Sequence, residues 1–393
     1  MNYLLGYGSQ ALALKYLGVE FEHWRTCEWA VKSIQAYKDI HFSNDNIDYS
    51  ERYGTQNIKD ILYTKGISNN YNEPMSREQI MRLSDKQVRN IYNNIVATKN
   101  MVNIQQVKGE DLGVIDNDKY CYIMTYSFPC QDLSLAGKGK GMSDTSTRSG
   151  MLWEVERILD ECNKLGELPN ILLMENVPQV HGADNIKDFN KWQLKLEKLG
   201  YKNYVQDLIA TDYGIPQTRN RCFMVSILGD YSYSFPPKQP LKLKLKDMLE
   251  DKVDEKYYLS DKQIEDVKSW NAYEKPLENM EKTDKNNISP TLTTRSGAYA
   301  AGMILVKNAT SKGYLEATDG DGIDISSRME HHRGVVENLQ IRKLTPRECF
   351  RLMGVKDEDY EKVSKNQSDA SLYHLAGDSI VVNVLMAIFK ELL

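Results

Sequence analysis

Three consecutive segments in the middle of the chain restrict the fold more than any other feature. Residues 121–128 (CYIMTYSF) are a nearly continuous apolar run of strand length, and residues 171–177 are a second. Between them Leu152, Val155, Leu159, Cys162 and Leu165 recur at helical spacing, so an amphipathic helix joins two buried strands. This is the βαβ pattern of a parallel sheet, and it predicts an α/β fold. Residues 101–107 and 221–228 are further strand candidates. Residues 10–17 read as a helix stopped by Gly18, a suitable residue just past a helix end. Open α/β sheets bind ligands at the carboxyl ends of their strands, which directs attention to Pro129 and Cys130.

At 393 residues the chain has room for two domains. Residues 64–100 interrupt the alternation, and the capping pairs Ser76…Gln79 and Ser84…Gln87 predict two short polar helices there. From about residue 229 the texture changes to prolines, an alternating Leu-Lys run at 241–246 and many glycine turns. That run predicts an exposed strand, and residues 229–340 a smaller, irregular, mostly-β domain. The apolar stretch 379–392 predicts a final helix that packs back on the first domain. The six cysteines are scattered without paired spacing, which suits a reducing cytoplasm and predicts neither a disulfide framework nor a metal site. No apolar run approaches membrane-span length, and no signal peptide is read at the N-terminus. A net charge of −5 disfavours non-specific nucleic-acid binding, but a local basic face suffices for a specific one. Lys138, Lys140 and Arg148 form one such candidate, and Lys238, Lys242, Lys244 and Lys246 another. For the second, a solvated rim is an equal reading.

Several polar residues stand where chemistry is expected. Cys130 alone reads as a buried small hydrophobe. Gly6-Tyr7-Gly8-Ser9 opens the first helix, and its glycines allow a ligand close to the backbone. In Glu28-Trp29 the acid suits ribose hydroxyls and the indole an adenine; a surface acid beside a half-buried aromatic is the alternative. Glu175 ends an apolar strand, placed either to carry a proton or to cap a helix. Gln217-Thr218-Arg219-Asn220-Arg221 sets two guanidiniums two residues apart, on one face if extended.

Thiol, carboxylic acid and arginine together fit one chemical problem. A pyrimidine C5 is too weak a nucleophile to take a methyl group. A thiolate added at C6, with an acid protonating N3 and a guanidinium at O2, makes C5 enamine-like. The segments resemble the cytosine-C5 DNA methyltransferases of bacteria and their phages. Family order is kept from the glycine turn and Glu-Trp through Pro-Cys-Gln, Thr147-Arg148-Ser149-Gly150-Met151-Leu152, Glu-Asn-Val and Gln-x-Arg-x-Arg to Gly377-Asp378-Ser379. The wording of the catalytic half is similar to mollicute CpG-type and phage enzymes.

The resemblance implies a Rossmann-like domain that uses S-adenosylmethionine, formed by residues 1–228 and 341–393, with residues 229–340 recognising the target. It implies Cys130 as nucleophile, Glu175 as the N3 acid and Arg221 as the O2 contact, with Arg219 and Gln217 supporting the catalytic loop and the base. Leu4, Gly6, Gly8, Ser9, Glu28, Trp29, Asn103, Ile104, Pro129, Leu152, Asp378 and Ser379 fall at the cofactor. Residues 131–149 would be a mobile loop over a flipped base, with Gln131, Ser134, Lys138, Lys140 and Arg148 joining Gln217 and Arg295 as DNA contacts. Ser289-Pro290-Thr291-Leu292-Thr293-Thr294-Arg295 resembles the motif that organises the recognition domain. Asn2, Leu4, Asn103 and Asp378 depart from the family pattern, so weakened cofactor affinity is expected. The implied partner is double-stranded DNA, bound by a monomer in the bacterial cytoplasm within restriction-modification. A tRNA cytosine methyltransferase and a catalytically silent binder are the competing expectations.

Overall fold

The computed structural model describes residues 2–3, 6–117, 119–128, 151–258, 260, 288–289, 291–294, 303–306, 322–324 and 341–393. The chain divides into two compact units. The first comprises Met1–Leu208, Asn220–Pro236 and Ile388–Leu393, and the second Ile209–Arg219 and Pro237–Ala387.

In the first unit the strands are β1 (Asn2–Tyr3), β2 (Thr26–Cys27), β3 (Ile123–Ser127), β4 (Ile171–Asn176), β5 (Tyr201–Ile209) and β6 (Asn220–Leu228). Among the described residues they form one sheet in the order β2-β1-β3-β4-β6-β5. β1 pairs in parallel with β2 and β3, and β3 in parallel with β4, whereas β6 runs antiparallel to β4. The expected βαβ unit is β3, helix α6 (Met151–Leu165) and β4. All six residues of β4 are buried, which is why its sequence runs apolar without alternation. α6 buries Leu152, Val155, Ile158, Leu159 and Cys162, while Leu165 lies exposed at its last residue. Each fully buried aliphatic of this kind contributes about 1.5–3 kcal/mol.

Helix α1 (Ser9–Leu17) ends on Gly18 in the left-handed region, as read from the sequence. The 64–100 segment does contain two capped helices, α4 (Arg77–Met81) and α5 (Asp85–Ala97), each with its capping box closed. They are less polar than their sequence suggested. Ile80, Val88, Ile91 and Ile95 join Ile34 of α2 (Val31–His41) and Ile58 and Leu62 of α3 (Thr55–Lys65) in a separate apolar core.

Two expected strands are corrected. Residues 101–107 form a 3-10 turn, Ile104–Gln106, because Val102 takes a left-handed φ of 71° and Asn103 caps the turn by accepting from Gln105 N–H. Residues 241–246 form no strand; Leu245–Met248 is a 3-10 turn with Leu245 buried, and the Asp247 carboxylate accepts from Lys244 N–H. β5 was missed, because its burial does not follow a clean alternation.

In the second unit, strands Met303–Val306, Gly322–Asp324 and Ile341–Lys343 make an antiparallel sheet with the first in the middle, so β character is present there. Thr345 caps the helix Pro346–Leu352 in a capping box with Glu348. The contact-based division differs from the sequence boundary at 341. Arg351 donates to the carbonyls of Met248 and Leu249, and Glu250 N–H donates to Glu348, so residues 341–387 pack with their own unit. The stretch Asp369–Leu392 contains an 18-residue segment apolar enough to span a membrane, but 72% of that segment is buried. It is also two helices, Asp369–Asp378 and Val382–Leu392.

Candidate active site

β3 and β4 run side by side, and their register sets Ser127 opposite Glu175. β6 pairs with β4 so that Phe223 faces Glu175 and Cys222 faces Asn176. These pairings bring three polar side chains to the carboxyl end of β4. Arg221 Nε lies 3.1 Å from Glu175 Oε1, and Ser127 Oγ donates to Glu175 Oε2 at 3.1 Å. A second Arg221 nitrogen, Nη1, donates to the Asn220 carbonyl at 2.8 Å, which fixes the guanidinium plane. The Glu175 and Arg221 side chains are 11% and 19% exposed, so the pair is sheltered yet reachable. A carboxyl group held this way can exchange a proton with a ligand, and the fixed cation beside it can face an anion formed there.

Asn176 Nδ2 donates to the Phe128 carbonyl at 3.0 Å, while its Oδ1 accepts from Val177 N–H at 2.8 Å. It therefore fixes the backbone immediately before Pro129 and Cys130. Cys130 and Pro129, with Leu4, Gln131, Ser134, Lys138, Lys140, Arg148 and Arg295, lie outside the described residues.

At the other candidate site in this unit, Gly8 caps α1 with φ 83°, and a Cβ there would run into the rings of Tyr37 and His41. Glycine is thus required by helix packing as well as by the turn, where Gly6 also has positive φ. Ser9 and Gln10 are buried at the start of α1, and Ser9 Oγ and Gln10 Oε1 have no hydrogen-bond partner among the described residues. Buried polar atoms without partners at a helix N-terminus fit a polar ligand such as S-adenosylmethionine. Glu28 is buried and accepts from Ala30 N–H at 2.8 Å, beside half-buried Trp29. Asn100 holds this segment from both sides, accepting from Glu28 N–H and donating to its carbonyl. Ile104 is partly buried against the main core. Leu152 is corrected: it is fully buried in the core, with no surface left for the cofactor.

In the second unit Gln217 and Arg219 take scaffold positions. Gln217 is fully buried; its Nε2 donates to the Leu352 carbonyl and its Oε1 accepts from Leu292 N–H. Its expected contact with DNA is therefore corrected. Arg219 is 4% exposed and donates to the carbonyls of Leu292, Gly377 and Ser379. These bonds tie loop backbone together. Gly377 packs directly on the Thr293–Thr294 backbone, where a side chain would collide. Ser379 is buried and donates to the Leu375 carbonyl, while Asp378 is exposed. Leu292, Arg219, Gly377 and Ser379 thus form one knot. Lys238 of the second basic cluster pairs with Asp212 at 2.9 Å.

Ser127, Asn100 and Gln10 were not singled out from the sequence, and Asn176 was quoted only as the middle of Glu-Asn-Val, without a role. Ser127 was findable from strand register; Asn100 and Gln10 carry no local signal.

The family model for C-5 cytosine-specific DNA methylase matches residues 70–393. The type II methyltransferase M2.ScrFI of Lactococcus lactis subsp. cremoris is 34% identical over 98% of this chain and 96% of its own length. The orphan methyltransferase M.SssI of Spiroplasma monobiae is 31% identical over 98% and 95%. Among solved structures, the S. pombe Dnmt2 methyltransferase aligns with a TM-score of 0.58 at 17% identity, covering 99% of this chain and 96% of that one. At that identity the likeness concerns the fold alone.

Proposed function

Because the chain belongs to the C-5 cytosine-specific DNA methylase family and is an S-adenosylmethionine-dependent DNA (cytosine-5-)-methyltransferase, we propose that Cys130, Glu175 and Arg221 carry its reaction. The observation that supports this most is the Arg221–Glu175–Ser127 cluster, one strand pairing away from the backbone that leads into Cys130.

In this reading the Cys130 thiolate forms a bond to C6 of the target cytosine while Glu175 delivers a proton to N3. The Arg221 guanidinium faces O2, where charge builds, and electron density moves to C5. The bound S-adenosylmethionine supplies the methyl group. Solvent then takes the C5 proton, the Cys130–C6 bond breaks, and the N3 proton returns to Glu175, which restores the ring. Ser9, Gln10, Glu28 and Trp29 are the residues proposed to hold the cofactor. Arg219 and Gln217 act through the backbone they bind, as positioning residues.

The proposed substrate is double-stranded DNA, from which the cytosine is rotated out of the stack, with residues 229–340 reading its neighbours. One copy of the chain suffices, since acid and guanidinium come from the same sheet. The proposed setting is a bacterial cytoplasm, where the DNA lies. Bisulfite sequencing of host DNA after expression of the wild-type protein and of Cys130→Ser tests the proposal. Protection at a fixed sequence context is expected with the wild type and not with the variant. Unprotected DNA in both, or methylation confined to tRNA, would overturn it.

A further inference from the structure

Three residues with no place in the methyl-transfer reading converge in the first unit. His181 closes the 3-10 turn Pro178–His181 after β4, Asp207 lies on β5 and Cys222 on β6. Their ligand atoms all lie within 4.8 Å of one another, and His181 Nε2 is 2.9 Å from Asp207 Oδ1. Cys222 is fully buried, while the His181 and Asp207 side chains are 37% and 32% exposed. The cluster therefore has an enclosed sulfur end and a nitrogen–oxygen end open to solvent. Scattered cysteines predicted no metal site, but the sheet assembles this donor set from residues far apart in the chain.

We propose that His181, Asp207 and Cys222 bind a zinc-class divalent cation. Zinc takes sulfur at about 2.3 Å and nitrogen or oxygen at about 2.0–2.2 Å. A tetrahedral centre therefore needs donor separations of roughly 3.3–3.7 Å, within reach of small rotamer changes from this arrangement. As the metal–sulfur bond forms, the Cys222 thiol releases its proton to solvent; one imidazole nitrogen and one Asp207 oxygen complete the protein ligands. The open end leaves a fourth position for water. A thiolate and an imidazole select against magnesium and calcium, which prefer oxygen alone.

The consequence is mechanical. Cys222 is paired with Asn176 and follows Arg221 in sequence. A metal here would join β5, β6 and the turn after β4, bracing the strands that present Arg221 and Asn176. It touches none of the reacting atoms.

Titration of the full-length protein with Co2+ and then Zn2+ tests this. One equivalent of Co2+ should bind with a thiolate-to-cobalt charge-transfer band and tetrahedral visible bands, and Zn2+ should bleach both. Cys222→Ser should remove the charge-transfer band, whereas Cys121→Ser should keep it. His181→Gln, at a partly exposed site that leaves the core intact, should weaken Zn2+ binding at least tenfold. The same Zn2+ should raise the thermal midpoint of the wild type but not of His181→Gln. Absence of the band, its survival in Cys222→Ser, or unchanged Zn2+ affinity in His181→Gln would overturn the proposal.

Discussion

Arg221 Nε stands 3.1 Å from Glu175 Oε1 across the antiparallel β4–β6 pair, with Ser127 Oγ on the other carboxylate oxygen. The carboxyl group is thus gripped from two strands, and its position does not depend on any loop. A carboxyl group and a fixed positive charge lie side by side, the pair that the proposed reaction calls for when one ring nitrogen is protonated while a neighbouring oxygen gains charge.

Glu175→Gln keeps the shape of the side chain and removes the acid. Methyl transfer should fall by about 10²–10⁴-fold, the usual contribution of a positioned proton donor. Single-turnover methylation of DNA checks this, with DNA binding measured in parallel and expected to persist. Activity close to wild type would remove Glu175 from the chemistry.

Asn176→Ala would strand the Phe128 carbonyl and Val177 N–H, both held by the asparagine side chain. Each buried group left without a partner costs about 1–3 kcal/mol. Chemical denaturation should show a loss in that range. Because the bond to Phe128 steers the backbone before Cys130, kcat should drop more than affinity for S-adenosylmethionine. Equal effects on the two would point to general loosening.

In the second unit Arg342 and Glu348 form a bidentate pair at 2.7 and 2.8 Å, with side-chain exposures of 4% and 0%. Thr345 and Glu250 N–H groups also donate to Glu348. Arg342→Met leaves a buried carboxylate without its cation and should cost about 3–5 kcal/mol. The double change Arg342→Met with Glu348→Leu should recover part of that loss. Denaturant melts of both variants check it; a harmless single change would mean that water reaches Glu348.

Burial lowers the His23 imidazole from 6.5 to about 4, with Lys99 acting in the same direction and Glu22 against it. Its Nδ1 and the Tyr37 hydroxyl are 2.7 Å apart. The unfolded chain therefore takes up this proton first on acidification, and the folded state loses stability as pH falls from 6.5 towards 4. Thermal melts across that window should decline more steeply for the wild type than for His23→Gln. Parallel curves would mean that His23 titrates normally in the fold.

Much of the frame was legible because it follows from period and capping. The helical spacing of Leu152 to Cys162 gave α6, the unbroken apolar run gave β4, and Ser76 and Ser84 marked two helix starts. Residues 101–107 misled because apolarity carries no record of the positive φ at Val102. At the site, the nature of Glu175 and Arg221 was readable, since their chemistry is in their side chains. For Gln217 and Arg219 a supporting role was expected, but not the groups they hold. Each serves backbone groups more than 70 residues distant, and only the folded chain brings those partners together.

Covalent trapping on DNA carrying 5-fluorocytosine tests the central claim most directly. Fluorine at C5 cannot leave as a proton does, so the final elimination is blocked and the Cys130–C6 bond should persist. With S-adenosylmethionine present, a denaturation-resistant protein–DNA complex is expected, with the modified peptide mapped by mass spectrometry to Cys130 and no complex from Cys130→Ser. Purely noncovalent complexes on a substrate that the enzyme demonstrably methylates, or an adduct mapped to another cysteine, would contradict it.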